Sequence, residues 1–259
     1  MVLSRDEELS LRLDLSQEGA TKLAALAKLR AMRLKNEKRF EAHPWPWLCE
    51  AVWTSDPFSG GLHKYPGESV LDPAHGCACQ RGGCQNYLHH IVNTWWKEPR
   101  TAWPKSRRLL TSWTMIACHE WLARYRAGQV IAFVSRKQGQ NDDEGSAELI
   151  KRAHFIGQHL PVEVMPRRVE KTWCRLSYPH NGSVILGIAQ GADQLRQLAV
   201  TAWFGDEFAF WEQAGSTYAA SLPSLEGSGG SAGRCTLVST ANPGFFQHLC
   251  QDTWQVSRG

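Results

Sequence analysis

The run Ala199-Val-Thr-Ala-Trp-Phe-Gly-Asp206-Glu207 is mostly apolar and ends in two adjacent carboxylates. In ATP-hydrolysing α/β proteins the first acid at such a strand tip holds Mg2+, and the second deprotonates the attacking water. A strand that simply reaches solvent at an acidic pair is the plain alternative. Upstream, Trp103-Pro-Lys105-Ser106-Arg107-Arg108-Leu-Leu110-Thr111-Ser112 lies between a short apolar piece and a helical pattern over 112–126. That is where a phosphate (Walker A) loop belongs, with backbone N–H groups and a helix N-terminus facing the phosphates. The match to G-x-x-x-x-G-K-[ST] is partial. With Ser112 as the final hydroxyl, Lys105 takes the first glycine's place, Leu110 the second's and Thr111 the place of the usual lysine, so spacing alone equally allows a basic turn. A third stretch, Thr236 to Gly244, is an apolar strand ending in Ser239, Thr240 and Asn242. Such a tip can sense a γ-phosphate, although Asn-Pro-Gly also ends ordinary strands.

A second concentration of ligand-type residues is Cys77, Cys79, Cys84 and His89, within a glycine-rich stretch at 75–90. Three thiols and an imidazole suit tetrahedral Zn2+, but C-x-C-x4-C-x4-H is not a common finger spacing. The alternative is free thiols in a loop followed by a histidine pair that opens a helix. Cys118, Cys174 and Cys235 sit in apolar contexts and read as small core residues. Of the 12 tryptophans most should be packing; Trp45 and Trp47, with Tyr65, are the candidates for an adenine side. Lys97, Arg100, Arg107 and Arg108, and the pair Arg167-Arg168, face solvent or track nucleic-acid phosphates.

These residues need a scaffold, and the composition supplies one. The 259 residues are 42% hydrophobic and 21% charged, with a net charge of +4, which excludes global disorder. No apolar run approaches the roughly 18 residues of a membrane span. The opening MVLSRDEELSLRLDLSQ has acids where an export signal needs apolar residues, so a reducing interior is expected and the thiols should be unpaired. The mild positive charge permits nucleic-acid binding without requiring it. Residues 1–43 read as a helical arm or lid, with Leu23, Leu26, Leu29 and Met32 spaced by three. The prolines of His43-Pro44-Trp45-Pro46 should end that helix in extended backbone. From Thr101 onward, strand and helix patterns alternate, as in parallel sheets with crossover helices. Strands are expected at 129–135, 173–178, 183–188, 200–205 and 235–239, and helices at 142–159 and 245–254. Asn181-Gly182 marks a hairpin turn, and Glu226–Gly233 a flexible loop. The fold class is therefore α/β, with a mainly parallel sheet over 44–259 preceded by the N-terminal helical segment.

Taken in order, Pro104–Arg108 with Ser112-Trp113, Gln190-Gly-Ala-Asp-Gln-Leu-Arg196, Asp206-Glu-Phe-Ala-Phe210 and Val238-Ser-Thr-Ala-Asn-Pro-Gly244 resemble the large terminase subunits of tailed bacteriophages, over about 44–254. The resemblance implies a three-layer, ASCE-like P-loop NTPase fold and an ATPase that moves double-stranded DNA into a procapsid. It makes Lys105 the lysine of a deviant phosphate loop, Ser106, Arg107 and Thr111 its companions, and Ser112 and Asp206 the Mg2+ side of the ATP site. It makes Glu207 the general base, Arg196 or Arg108 the charge-neutralising arginine, and Ser239 to Asn242, with Thr240 near the nucleotide, the coupling motif. Implied partners are the portal protein and the small terminase subunit, in the host cytoplasm, with a homo-oligomeric ring on the portal and a monomer when isolated. Leu110 departs from the family's preference for a small residue there. The family's C-terminal nuclease domain is also missing, so this should be the ATPase portion alone or one piece of a split polypeptide, without nuclease activity. The rival reading is a non-catalytic, zinc-containing nucleic-acid-binding or assembly module with a degenerate phosphate loop. Zinc has a direct measurement: elemental analysis of protein purified without added metal should give about one equivalent if Cys77, Cys79, Cys84 and His89 close a site, and none with all thiols titratable if they form a loop.

Overall fold

Successive side chains of the central strands enter two different cores, and this alternation dictates the layers. Ile131 and Phe133, with Ala202, Phe204 and Val238, point into one core; Ala132, Val134, Trp203, Cys235 and Leu237 point into the other. Period-two alternation with both faces apolar requires cover on both sides. The structure, a computed structural model, describes residues 17–56, 61–65, 71–72, 76–77, 87–107, 109–140, 144–225 and 233–256.

In chain order the elements are α1 (Gln17–Ala42), α2 (Pro44–Ala51), β1 (Trp53–Asp56), β2 (Gly61–Lys64), β3 (Leu71–Asp72), β4 (Gly76–Cys77), α3 (Tyr87–Lys97) and β5 (Arg100–Lys105). There follow α4 (Thr111–Tyr125), β6 (Val130–Ser135), α5 (Gly145–Gln158), β7 (Glu170–Thr172), β8 (Arg175–Tyr178), β9 (Ser183–Ala189) and α6 (Ala192–Arg196). The last are β10 (Ala202–Asp206), a 3-10 turn (Phe208–Phe210), α7 (Ala214–Leu225), β11 (Arg234–Thr240) and α8 (Phe245–Val256). The main sheet has seven strands in the order β5-β11-β10-β6-β9-β8-β7. Its first five are parallel, and β8 and β7 add antiparallel pairs at the far edge. The expected three-layer, mainly parallel α/β fold is present, with β11 inserted between the strand of Lys105 and the strand of the acids. No helix of the described residues is long and apolar enough to cross a membrane.

Three local expectations need correction. The His43–Pro46 cluster interrupts the helix for one residue only: His43 is extended, its Nδ1 accepts from the Trp45 N–H at 3.1 Å, and Pro44 opens α2. Proline at the first helical position lacks only an N–H that would be orphaned anyway. Trp45, Trp47 and Tyr65 are buried in the first core and are not free to flank a base. Strands begin two residues later than read at β8, where Trp173 and Cys174 form the turn after β7, and at β10, where Val200 and Thr201 still belong to the incoming bend. Most of the glycine-rich 226–233 loop lies outside the described residues.

In the first half of α1 the described side chains are mostly exposed, Leu23 and Leu26 at 58% and 62%, whereas the second half, although Leu34 is 50% exposed, is tied down by buried Phe40, by Arg33 Nε to the Val162 carbonyl at 2.7 Å and by Trp121 Nε1 to the Phe40 carbonyl at 2.7 Å.

Helix α4, which starts beside the acidic strand tip, is fixed at its other end by the β8–β9 turn. Asn181 Nδ2 donates to the carbonyls of Ala123, Arg124 and Arg126 at 2.8, 3.2 and 3.0 Å, and Ser183 Oγ donates to that of Arg126 at 2.8 Å. The last carbonyls of a helix lack internal partners, so Asn181→Ala should cost about 1–3 kcal/mol. A lower urea midpoint at unchanged slope is the expected result.

Candidate active site

Parallel pairing brings residues far apart in sequence to one sheet edge. In the register, Thr240 of β11 lies opposite Lys105 of β5, and Val238 lies opposite Asp206 of β10. The chain leaving β5 turns at Leu110, which has φ 53° and ψ 5°, and enters α4. Leu110 and Glu207 (φ 50°, ψ 40°) are the two non-glycine residues with positive φ among the described residues. Such conformations cost about 1–3 kcal/mol each and collect at functional sites. Leu110 thus adopts the left-handed conformation that a glycine would take without strain.

The polar contacts form two linked pairs. Ser112 Oγ, in the first turn of α4, donates to Asp206 Oδ1 at 2.9 Å, and the Glu207 N–H donates to the same oxygen at 3.1 Å. Lys105 Nζ donates to Glu207 Oε1 at 2.9 Å. The other oxygen, Oε2, accepts from the Thr240 N–H at 3.2 Å and Oγ1 at 3.0 Å. Around them, Ser239 Oγ accepts from the Ala209 N–H at 3.0 Å, Asn242 Nδ2 donates to the Ala209 carbonyl at 3.1 Å and Trp211 Nε1 donates to the Asp206 carbonyl at 3.0 Å. The strand tip of β11 thus grips both the glutamate and the turn behind it. Behind that turn lies a cavity of about 430 Å³ lined by Phe210, Trp211, Asn242 and Phe245, among others.

Environment drives the adjacent acids apart. Burial pushes the Asp206 carboxyl above its ordinary range, and the neighbouring charge of Glu207 adds to this; Ser112's hydrogen bond and the Lys105 charge only partly oppose it. Burial also works upward on Glu207, but the hydrogen bond and charge of Lys105, with Thr240's donors, outweigh it and hold the carboxyl low. Glu207 is thus a held carboxylate and Asp206 an under-compensated one. A hydroxyl and a carboxylate in contact, the latter only partly compensated by its neighbours, fit Mg2+, a hard cation that takes few protein oxygens and keeps waters and phosphate oxygens for the rest. Among the described residues no group of three or more His, Cys, Asp or Glu could hold a metal ion, which excludes an all-protein cage there but not this kind of site.

Other sequence candidates fall elsewhere. Thr111 Oγ1 turns to the Leu109 carbonyl at 3.4 Å. Ser106 and Arg107 are exposed on the loop after β5, and Arg108 lies outside the described residues. Arg196, at the end of α6, is 64% exposed and pairs with Asp193 at 3.6 Å. His89 meets Asn93 Nδ2 at 2.9 Å and the Trp45 ring edge-on at 4.8 Å; Cys79, Cys84 and the Cys77 side chain lie outside the described residues. Sequence reasoning missed Trp211, whose indole pins the Asp206 carbonyl, and Arg152, which lies over the Trp113 ring at 5.5 Å and lowers the Asp206 carboxyl slightly. Only Trp113's position beside Ser112 pointed that way.

No family model matches the chain, and no curated protein matches it in sequence. Among solved structures the chain is similar to the large terminase ATPase domain of Thermus phage P74-26. A point mutant matches at 14% identity and TM-score 0.47, covering 64% of this chain and 69% of that one. A second structure of the same domain matches at 13% and 0.46, covering 64% and 68%. The large terminase of the thermophilic bacteriophage D6E, in complex with ADP, matches at 15% identity and TM-score 0.42, over 60% of this chain and 38% of that one.

The raised Asp206 carboxyl fixes the sign of a stability effect. The native state holds this proton more tightly than the unfolded chain, so stability falls as pH rises above the ordinary carboxylate range of about 4. Asp206→Asn keeps an acceptor for Ser112 and removes the charge. It should raise the thermal midpoint of the nucleotide-free protein at pH 7, and the gain should shrink as pH falls toward about 4; circular dichroism melts at the two pH values check it.

Proposed function

We propose that this chain is the ATPase motor domain of a phage large terminase, hydrolysing ATP to drive double-stranded DNA into a procapsid. One observation carries the reading: Lys105, Ser112, Asp206 and Glu207, drawn from three separate segments, meet at the carboxyl ends of parallel strands beside the N-terminus of α4. Ligands of open α/β sheets bind at that edge. The motif order noted in the sequence supports the assignment to terminases.

In this reading the triphosphate lies across the turn from Lys105 to Ser112, with the first N–H groups of α4 facing it. Lys105 offsets charge on the β- and γ-phosphates, and Ser106, Arg107 and Thr111 line the loop. Ser112 and Asp206 hold Mg2+, which when bound compensates charge on the phosphate oxygens. Glu207 orients the attacking water and takes its proton at a carboxylate oxygen, and the water attacks in line with the leaving oxygen. Thr240 and Asn242 carry the change at Glu207 into the turn at Ala209. Arg196 is the charge-neutralising arginine, reaching a neighbour's phosphates; Arg108 is the in-chain alternative. The proposed partners are duplex DNA, the portal protein and the small terminase subunit, within a ring on the portal and in the host cytoplasm; the isolated chain is a monomer.

Mg2+-dependent ATP turnover should be measurable and slow in the isolated protein. Glu207→Gln should retain nucleotide binding and lose turnover by about 10²–10⁴-fold, the usual contribution of a general base. Equal phosphate release by the two proteins would sink the assignment.

A further inference from the structure

We propose that Glu207 competes with nucleotide phosphate for Lys105, so that the empty site is shut by its own base and opens only when phosphate takes the lysine. The inference deepens the nucleotide reading and rests on it.

The Lys105 side chain is 10% exposed and its Nζ is bonded to Glu207 Oε1, whereas the Glu207 side chain is 46% exposed. The lysine is thus the inward partner, and the carboxylate stands between it and solvent. An ammonium on a four-carbon stem is a mobile point charge, and its reach allows a change of partner without backbone movement. The carboxylate has other support. Its second oxygen keeps the N–H and hydroxyl of Thr240, and its backbone N–H stays on Asp206 Oδ1. When Lys105 leaves, Glu207 therefore stays in place at the strand tip with one oxygen free to accept from water. The exchange also orders events: the base loses its cation only when phosphate is present to receive it.

The arrangement separates two reasons why a nearby carboxylate weakens phosphate binding, direct repulsion and occupation of the lysine. Glu207→Gln removes the charge and weakens the hold on Lys105. Glu207→Asp keeps the charge but is one methylene too short for the 2.9 Å contact. The full chain and both variants are titrated with a fluorescent ADP and with a non-hydrolysable ATP analogue in Mg2+, after thermal melts establish that each is folded. Both variants should bind more tightly than the parent chain, by about three- to tenfold for Gln, the scale of one partly screened charge pair, and by less for Asp. Adenosine, which offers the lysine nothing, should bind all three alike. A gain confined to Gln would reduce the effect to repulsion and overturn the exchange; no gain in either would also overturn it. Absence of nucleotide binding in all three proteins would instead remove the nucleotide reading on which the exchange depends.

Discussion

Parallel pairing of β5, β11 and β10 is the constraint from which the site follows. Strands running in one direction end on one edge, so the turns leaving them, and the helix that begins there, must share a small volume. Lys105 and Glu207 are not on neighbouring strands; β11 lies between theirs, and its tip supplies the donors that fill the gap. With antiparallel β11, the Ser-Thr-Ala-Asn stretch would sit at the opposite edge, leaving the Glu207 carboxylate with Lys105 alone.

That geometry explains the distribution of strain. A chain that must leave a strand and at once start a helix, or present an acid and then turn back, has few allowed backbone paths, and here two of them pass through the left-handed region at Leu110 and Glu207. The surrounding contacts over-determine both. The Leu110 carbonyl accepts from the N–H and hydroxyl of Thr114 at 2.8 and 3.0 Å; Glu207 is held by its backbone N–H and both carboxylate oxygens. Rigid cores on either side of the sheet, with Trp203 and Phe204 pointing in opposite directions from β10, keep the acids from relaxing.

Much of this was legible in the residue order. The alternating apolar runs gave the parallel strands, and Asn181-Gly182 gave the hairpin at the far edge. Asp206-Glu207 and Ser112 could be named because a charge pair ending an apolar strand, and a hydroxyl opening a helix, are local signals. The Lys105–Glu207 contact was not a local signal: it depends on which strand lies between theirs, and spacing along the chain does not encode that. Aromatic residues misled for a related reason. Trp45 and Trp47 sit among prolines from which extended backbone is expected, but burial of two indoles draws the segment into the core as α2. At Leu110 the turn takes a left-handed torsion angle, a constraint that residue type along the chain does not display.

The exposed leucine stripe on α1 gives the molecule two scales of stability. From Thr21 to Lys28 every side chain of that helix is exposed, so its backbone hydrogen bonds lean on helix cooperativity, which is weak in water over so short a stretch. Amide hydrogens there exchange by local opening, independently of the rest of the protein. Those of α4, whose side chains are buried through most of its length, exchange only when the sheet itself comes apart. The arm can therefore melt and re-form many times within the lifetime of one folded sheet, and its conformation carries no information about whether the strand tips are in place.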